Sequence, residues 1–161
     1  LPVLFICENN FYSVYSPLSV RQPPNRNIAK MIEAFGVKSI SAEGNDAYVV
    51  YDYLSNAFAE IRSGSGPIFM EFSTYRWREH CGPAFDDELG YRTAEEVAFW
   101  KAKDPIAKIT QALETVIPNF HSRITSDILI IKREIESAFE FAEHAPYPAP
   151  EEAFKGVFAD E

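Results

Sequence analysis

With 161 residues, 47% of them hydrophobic, the chain can bury a sizeable core, and its length suggests one domain. A formal net charge of -9 argues against general binding to nucleic acid or an acidic membrane, although a local pair such as Arg76 and Arg78 can still hold a phosphate. Two cysteines, Cys7 and Cys81, give no disulfide framework and point to a reducing compartment, and no apolar stretch approaches the ~20 residues of a membrane-spanning helix.

The first predicted element is Val3-Leu4-Phe5-Ile6-Cys7, continuously apolar and followed by Glu8-Asn9-Asn10, the pattern of a parallel strand buried on both faces. The opening Leu1-Pro2-Val3 has neither an initiator methionine nor a signal-peptide layout. A chain that starts directly on a core strand is expected to be part of a larger protein. From Phe11 to Asn27, serines and prolines break any periodicity, which predicts a long ordered or ligand-ordered loop. Asn27 is placed to cap a short helix with Ile28, Met31, Ile32 and Phe35 at helical spacing and Gly36 at its end.

Val37 to Ile40 reads as a second short strand, and Gly44-Asn45-Asp46 turns the chain into a longer helix. The inward stripe of that helix is Val50, Tyr53, Leu54, Ala57, Phe58 and Ile61. Ser63-Gly64-Ser65-Gly66-Pro67 stops it, and Ile68-Phe69-Met70-Glu71-Phe72 returns to a strand. Strand, helix, strand is the grammar of a parallel crossover. The loop Thr74-Tyr75-Arg76-Trp77-Arg78-Glu79-His80-Cys81-Gly82-Pro83 then gathers cationic, acid-base and thiol groups where an α/β sheet binds its ligands, beyond the carboxyl ends of the strands.

Past the loop only helices are predicted. Thr93 with Glu96 forms a capping box, Asp104-Pro105 starts a helix carrying Ile106, Ile109 and Leu113, and Pro118 ends it. Between the Ser126 region and His144, Ile128, Ile131, Ile135, Ala138, Phe139 and Ala142 form one stripe, expected to wrap this domain or a partner subunit. Pro146, Pro148 and Pro150 then impose an extended tail.

Several residues invite a chemical reading. The Asn10 amide oxygen can complete a hard-cation site with a backbone carbonyl and phosphate oxygens, which suits magnesium. Asn-Asn after a strand is also ordinary turn chemistry, and spacing alone favours the turn. Arg76 offers a planar fork matched to phosphate or carboxylate, and His80 brings an imidazole, the side-chain type suited to acid–base work; their co-occurrence in one loop with Gly82-Pro83 favours function. Cys81 beside His80 lacks any orienting group, since adjacent residues rarely face each other. Asp86-Asp87-Glu88 lacks metal-ligand spacing and reads as a solvated turn, and Trp77 and Trp100 read as packing residues.

The run Leu1 to Tyr12, then Gly66-Pro67-Ile68-Phe69-Met70-Glu71, Thr74-Tyr75-Arg76, His80, Gly90-Tyr91-Arg92-Thr93 and Asp104-Pro105-Ile106 resembles, in that order, the α subunit of thiamine-diphosphate-dependent 2-oxo acid dehydrogenases. This E1 component family includes the pyruvate, branched-chain and acetoin enzymes. The resemblance implies an α/β fold, part of a thiamine-diphosphate-binding domain with a parallel sheet, flanking helices and a helical C-terminal tail. Residues 1–92 would be the carboxyl-terminal part of that domain and 93–161 a helical extension packing on it or on a partner. It further implies that Asn10 binds magnesium by its side chain and Tyr12 by its carbonyl, that Arg76 contacts the diphosphate, and that His80 lies in the active-site loop, orienting the diphosphate and managing protons or the lipoyl group. The cofactor brings the decarboxylation chemistry and the protein supplies position and electrostatics.

The partners implied are a β-type subunit in an α2β2 heterotetramer and a lipoyl-bearing acyltransferase, the substrate a 2-oxo acid or acetoin-like molecule, and the place the cytoplasm of a bacterium or the mitochondrial matrix. Two departures stand out. The family's Gly-Asp-Gly, which gives the acidic magnesium ligand, is expected upstream of Leu1, so the chain resembles the carboxyl-terminal half of the subunit. Cys81 and Gly90 stand where mammalian relatives carry phosphorylatable serines, which predicts no kinase control there, and Trp77-Arg78-Glu79 departs from the best-known members. Alternatives are a non-catalytic assembly module, or a thiamine-dependent decarboxylase or transketolase-like enzyme without a lipoyl acceptor.

Overall fold

The computed structural model describes residues 1–157. The chain forms two compact units, Leu1–Leu113 and Glu114–Glu161. At the centre of the first is a parallel three-stranded sheet in the order β1-β5-β4, in which β1 is Leu4–Asn9, β4 is Lys38–Glu43 and β5 is Ile68–Ser73. Leu4 and Lys38 both lie opposite Ile68, and Asn9 and Glu43 both lie opposite Ser73, so the three strands end level with one another. A flush carboxyl edge brings together the loops that leave β1 and β5.

The core follows from strand alternation. Side chains two apart share a face, and Ile68, Met70 and Phe72 are 1–3% exposed. They pack with Ala57 and Ile61 of α3, Ala47–Arg62, and the half-buried Leu4, Ile40, Ala42, Val50 and Leu54 complete the cluster. Asp46 caps α3 by accepting from the Tyr48 and Val49 amides, while Gly64 and Gly66 adopt the left-handed backbone that breaks the chain away before β5. Met70→Ala would leave a cavity at a fully buried position of this cluster, at a cost of about 3 kcal/mol. Urea unfolding checks this, and a loss below about 1 kcal/mol would show that the site relaxes.

Four elements differ from the sequence reading. β1 is not buried on both faces: it pairs only with β5 at the sheet edge, and Phe5 and Ile6 are about half exposed. The second long strand runs to Glu43, because Ser41 and Glu43 point outward in the alternation and so hid it. The segment after Phe11 is not a bare loop; it holds the two-residue strands β2 (Tyr12–Ser13) and β3 (Ser16–Pro17), paired antiparallel, then α1, Leu18–Arg21. In the α3 stripe Tyr53 and Phe58 stay substantially exposed, Phe58 lying under the Arg62 guanidinium. The expected cap at Asn27 is present: its side chain accepts from the Lys30 amide at 2.8 Å at the start of α2, Ile28–Glu33.

Gly44 ends β4 where nothing larger fits. A Cβ there would fall 2.7 Å from Thr74 Cγ2 and 2.9 Å from Phe72 Cβ, and its amide donates to the Ser73 carbonyl at 2.8 Å. The chain then continues through α4, Ala94–Lys101, and α5, Pro105–Glu114, whose first turn Asp104 caps through the Ile106 and Ala107 amides. In the second unit α6 spans Phe120–His144, starting six residues before Ser126, and Pro150–Phe154 forms a 3-10 turn within the tail expected to be extended. The α6 stripe is uncovered: Ile128, Ile131, Ile135 and Phe139 are 47–68% exposed. No helix among the described residues is long and apolar enough to cross a membrane.

Candidate functional site

The exits of β1 and β5 are joined directly, the Thr74 amide donating to the Asn9 carbonyl at 2.9 Å. Asn10 and Arg76 therefore follow two hydrogen-bonded strand ends. Below them, Glu71 of β5 accepts from Asn9 Nδ2 at 2.7 Å and from the Ser41 hydroxyl at 3.3 Å, tying all three strands near the edge. Burial, with the Glu71 and Glu8 charges adding to it, pushes the neighbouring Cys7 thiol up, so this cysteine stays protonated.

Asn9 and Asn10 each make a side-chain turn, accepting from the Phe11 amide at 3.1 Å and the Tyr12 amide at 3.0 Å. The turn is strained, since Phe11 and Val14 have φ of 66° and 59°, a region bulky residues avoid. Tyr12 is fixed at its other end too. Its hydroxyl donates to both oxygens of Glu96 in α4, at 2.8 and 2.9 Å, and its ring meets Tyr91 and Tyr75 edge-on, with centroids 5.5 and 6.4 Å away. Burial and the Glu96 hydrogen bond push the Tyr12 phenol well above its ordinary range. Tyr75 in turn stacks on Trp100 at 5.2 Å, nearly parallel, and burial pushes its phenol up to about 12.

Arg76 is held on several sides. It donates to the Arg78 carbonyl, to the Val14 carbonyl at 2.9 Å and to the Tyr91 hydroxyl at 3.1 Å, and lies 3.6 Å from Asp86. Those three bonds take three of its five N–H groups, and its Nη1 also faces the Asp86 carboxylate, so among the described residues the Nε hydrogen is the donor left for a ligand. Its side chain is 20% exposed, enough to meet one.

Behind it lies a buried ionic network. Asp86 pairs with Arg92 and accepts from the Tyr91 hydroxyl at 2.7 Å; Arg92 also donates to the Arg76 carbonyl and reaches Asp87 at 3.4 Å, and Lys101 closes on Asp87 at 2.9 Å. Burial pushes the Asp86 carboxyl up, but the Tyr91 hydrogen bond and the Arg92 and Arg76 charges outweigh it, leaving the group below its ordinary range. Asp86 is therefore not part of a solvated turn. Spacing missed it because its partners stand five, six and ten residues away along an irregular loop.

His80 sits apart from this framework. The Glu79 amide donates to the Ala84 carbonyl at 2.9 Å and Arg78 to the Pro83 carbonyl at 2.6 Å, closing a small loop with His80 and Cys81 exposed at its tip. The structure thus brings Asn10, Tyr12 and Arg76 to one edge and presents His80 on a loop beside it.

A family model described as the dehydrogenase E1 component matches residues 1–151. The chain belongs to the dehydrogenase E1 component family. It is 32% identical over 160 residues to the pyruvate dehydrogenase E1 component subunit alpha of Rickettsia bellii, covering 98% of this chain and 47% of that protein. It is 33% identical over 162 residues to the 2-oxoisovalerate dehydrogenase subunit alpha of Bacillus subtilis, covering 99% and 47%. A chloroplastic pyruvate dehydrogenase E1 component subunit alpha-3 of Arabidopsis thaliana is 33% identical over 160 residues, covering 99% and 36%. The chain spans about half the length of the curated relatives it matches, or less.

For an E1 component the donor chemistry at this edge suits magnesium only in part. Asn10 Oδ1, which keeps a second lone pair beside the Tyr12 amide, and the Tyr12 carbonyl are hard neutral oxygens of the kind magnesium takes. Among the described residues no three His, Cys, Asp or Glu side chains gather where they could hold a metal. Any negative charge for a magnesium ion here would have to come from other groups. The tertiary contacts of three residues were not foreseen in the sequence: those of Asp86, Arg92 and Glu96. Glu96 was read only as a capping partner of Thr93, whose side chain does accept from the Glu96 amide at 3.1 Å, while its carboxylate is taken by Tyr12.

Proposed function

We propose that this chain is the carboxyl-terminal part of an E1 α-type subunit that decarboxylates a 2-oxo acid with thiamine diphosphate and passes the acyl group to a lipoyl carrier. What supports it is the placement of Asn10 and Arg76 after two parallel strands joined at their carboxyl ends, in a chain of the dehydrogenase E1 component family. In this reading Asn10 and the Tyr12 carbonyl supply two magnesium ligands, and Arg76 turns its guanidinium charge and remaining donor toward the diphosphate. When bound, the cofactor supplies the carbanion chemistry. His80, exposed on its loop, reaches toward the substrate side and moves protons or orients the diphosphate.

A carboxylate from outside residues 1–161 and the diphosphate itself would complete the metal's charge balance. The uncovered α6 stripe supports assembly with other subunits, in an α2β2 complex with a β-type subunit that docks a lipoyl-bearing acyltransferase. The cytoplasm or the mitochondrial matrix suits such a complex.

The test is steady-state turnover of the whole assembled protein with pyruvate and branched 2-oxo acids, with and without thiamine diphosphate and a lipoyl domain. Turnover that needs both supports the proposal. Full turnover without a lipoyl domain or added oxidant would make it a decarboxylase or transketolase-like enzyme instead, and failure to bind the cofactor would leave an assembly module.

A further inference from the structure

We propose that Glu96, acting through the Tyr12 hydroxyl, is a positioning residue for the Asn10–Tyr12 cation turn; this rests on the reading of that turn as a magnesium site. A hard cation of small radius tolerates little displacement of its ligands, so whatever fixes the Tyr12 peptide fixes one of them. The peptide that enters Tyr12 is held by the Asn10 side chain, which accepts from the Tyr12 amide at 3.0 Å, and by the Leu18 amide, which donates to the Phe11 carbonyl at 2.7 Å, while Tyr12 itself pairs with Pro17 in the β2–β3 ladder. The backbone on either side is under strain: Phe11 and Val14 both occupy left-handed conformations that large side chains leave when released. Those backbone contacts hold the strained turn along the chain, and a hold on the Tyr12 side chain fixes it from a second direction.

Glu96 supplies the hold on that side chain. Both of its oxygens accept the Tyr12 hydroxyl, at 2.8 and 2.9 Å, across 84 positions of sequence, so the contact belongs to the tertiary fold and not to local turn chemistry. Its own backbone is fixed, because its amide is capped by Thr93 at 3.1 Å in the first turn of α4. Thr93 directly follows Arg92, which pairs with Asp86 and donates to the Arg76 carbonyl. The start of α4 therefore holds the cation turn through Glu96 and the phosphate-facing arginine through Arg92. The two halves of the proposed site are thus set to one another by the segment that leads into α4, none of whose residues is among the proposed ligands.

The test measures magnesium affinity of the whole assembled protein, by calorimetric titration of Mg2+ in the presence of thiamine diphosphate. Tyr12→Phe, which deletes one oxygen atom, and Glu96→Ala are each expected to weaken Mg2+ binding about 10- to 100-fold, the range for partners that orient a metal ligand. The double variant is expected to lose no more than either single one, since both remove the same contact. Glu96→Gln keeps an acceptor oxygen and is expected to stay close to wild type. Asn10→Ala serves as the control for the site itself. If Asn10→Ala weakens Mg2+ binding and Tyr12→Phe does not, the positioning role is wrong and the site stands. If Asn10→Ala has no effect either, the site is wrong and the positioning role falls with it. Should Glu96→Ala fail to fold, Tyr12→Phe and Glu96→Gln decide the matter alone.

Discussion

Arg92→Ala is expected to destabilise the protein by about 4 kcal/mol, because removing one partner of a buried pair leaves the other charge without compensation. The Arg92 side chain is 1% exposed and that of Asp86 3%. The substitution also deletes the bond to the Arg76 carbonyl and the guanidinium that covers the Tyr91 and Tyr75 rings at 4.9 and 5.4 Å. Asp86 would keep only the Tyr91 hydroxyl and the more distant Arg76.

The same network sets an acid limit. The folded Asp86 carboxyl lies below its ordinary range, so its contribution is fully present above the unfolded value, about pH 4, and is lost as pH falls through the lower folded value. Asp86→Asn should remove that part of the acid sensitivity. Equilibrium unfolding in urea at neutral pH and at pH 3 measures both effects, and a loss below about 1 kcal/mol for Arg92→Ala would mean that water enters and solvates Asp86.

How far the fold was legible depends on whether a contact repeats along the chain. The alternation of Ile68, Met70 and Phe72 and the 3.6-residue spacing of Val50, Leu54, Ala57 and Ile61 put the core on the page before any coordinates, because burial writes a period into an element. Caps at Asn27 and Asp104 were legible for a similar reason, each being satisfied within three residues. Burial itself was less so. Phe5, Ile6 and the α6 stripe carry the same apolar pattern as covered residues, and only the three-dimensional arrangement shows that they remain exposed.

The site divides along the same line. Asn10 and Arg76 could be named because each follows a strand, whereas Asp86, Arg92 and Glu96 act through partners in irregular segments or 84 positions away. Neither reading was simply replaced by the other at Asn10. Its side chain does make the turn that spacing favoured, and it does so while keeping a lone pair at the sheet edge.

Arg76→Ala is expected to weaken thiamine diphosphate binding to the assembled protein about 100-fold, since a hydrogen bond to a charged group contributes about 2–3 kcal/mol. Its two buried neighbours in the network do not share this role. Arg92 is 1% exposed and directs its Nη groups at Asp86, Asp87 and the Arg76 carbonyl, while Arg76 is 20% exposed and keeps its Nε donor for a ligand beyond the strand ends. A stability loss and a cofactor loss are therefore expected from different arginines of one cluster. Arg76→Lys separates charge from geometry: an ammonium restores the charge but cannot bond the Val14 carbonyl, the Tyr91 hydroxyl and a phosphate from one planar group, so most of the loss should persist. Calorimetric titration of thiamine diphosphate, run beside urea unfolding, reads both. Unchanged cofactor affinity in Arg76→Ala would make Arg76 a structural residue like Arg92, and would move the diphosphate away from the joined ends of β1 and β5.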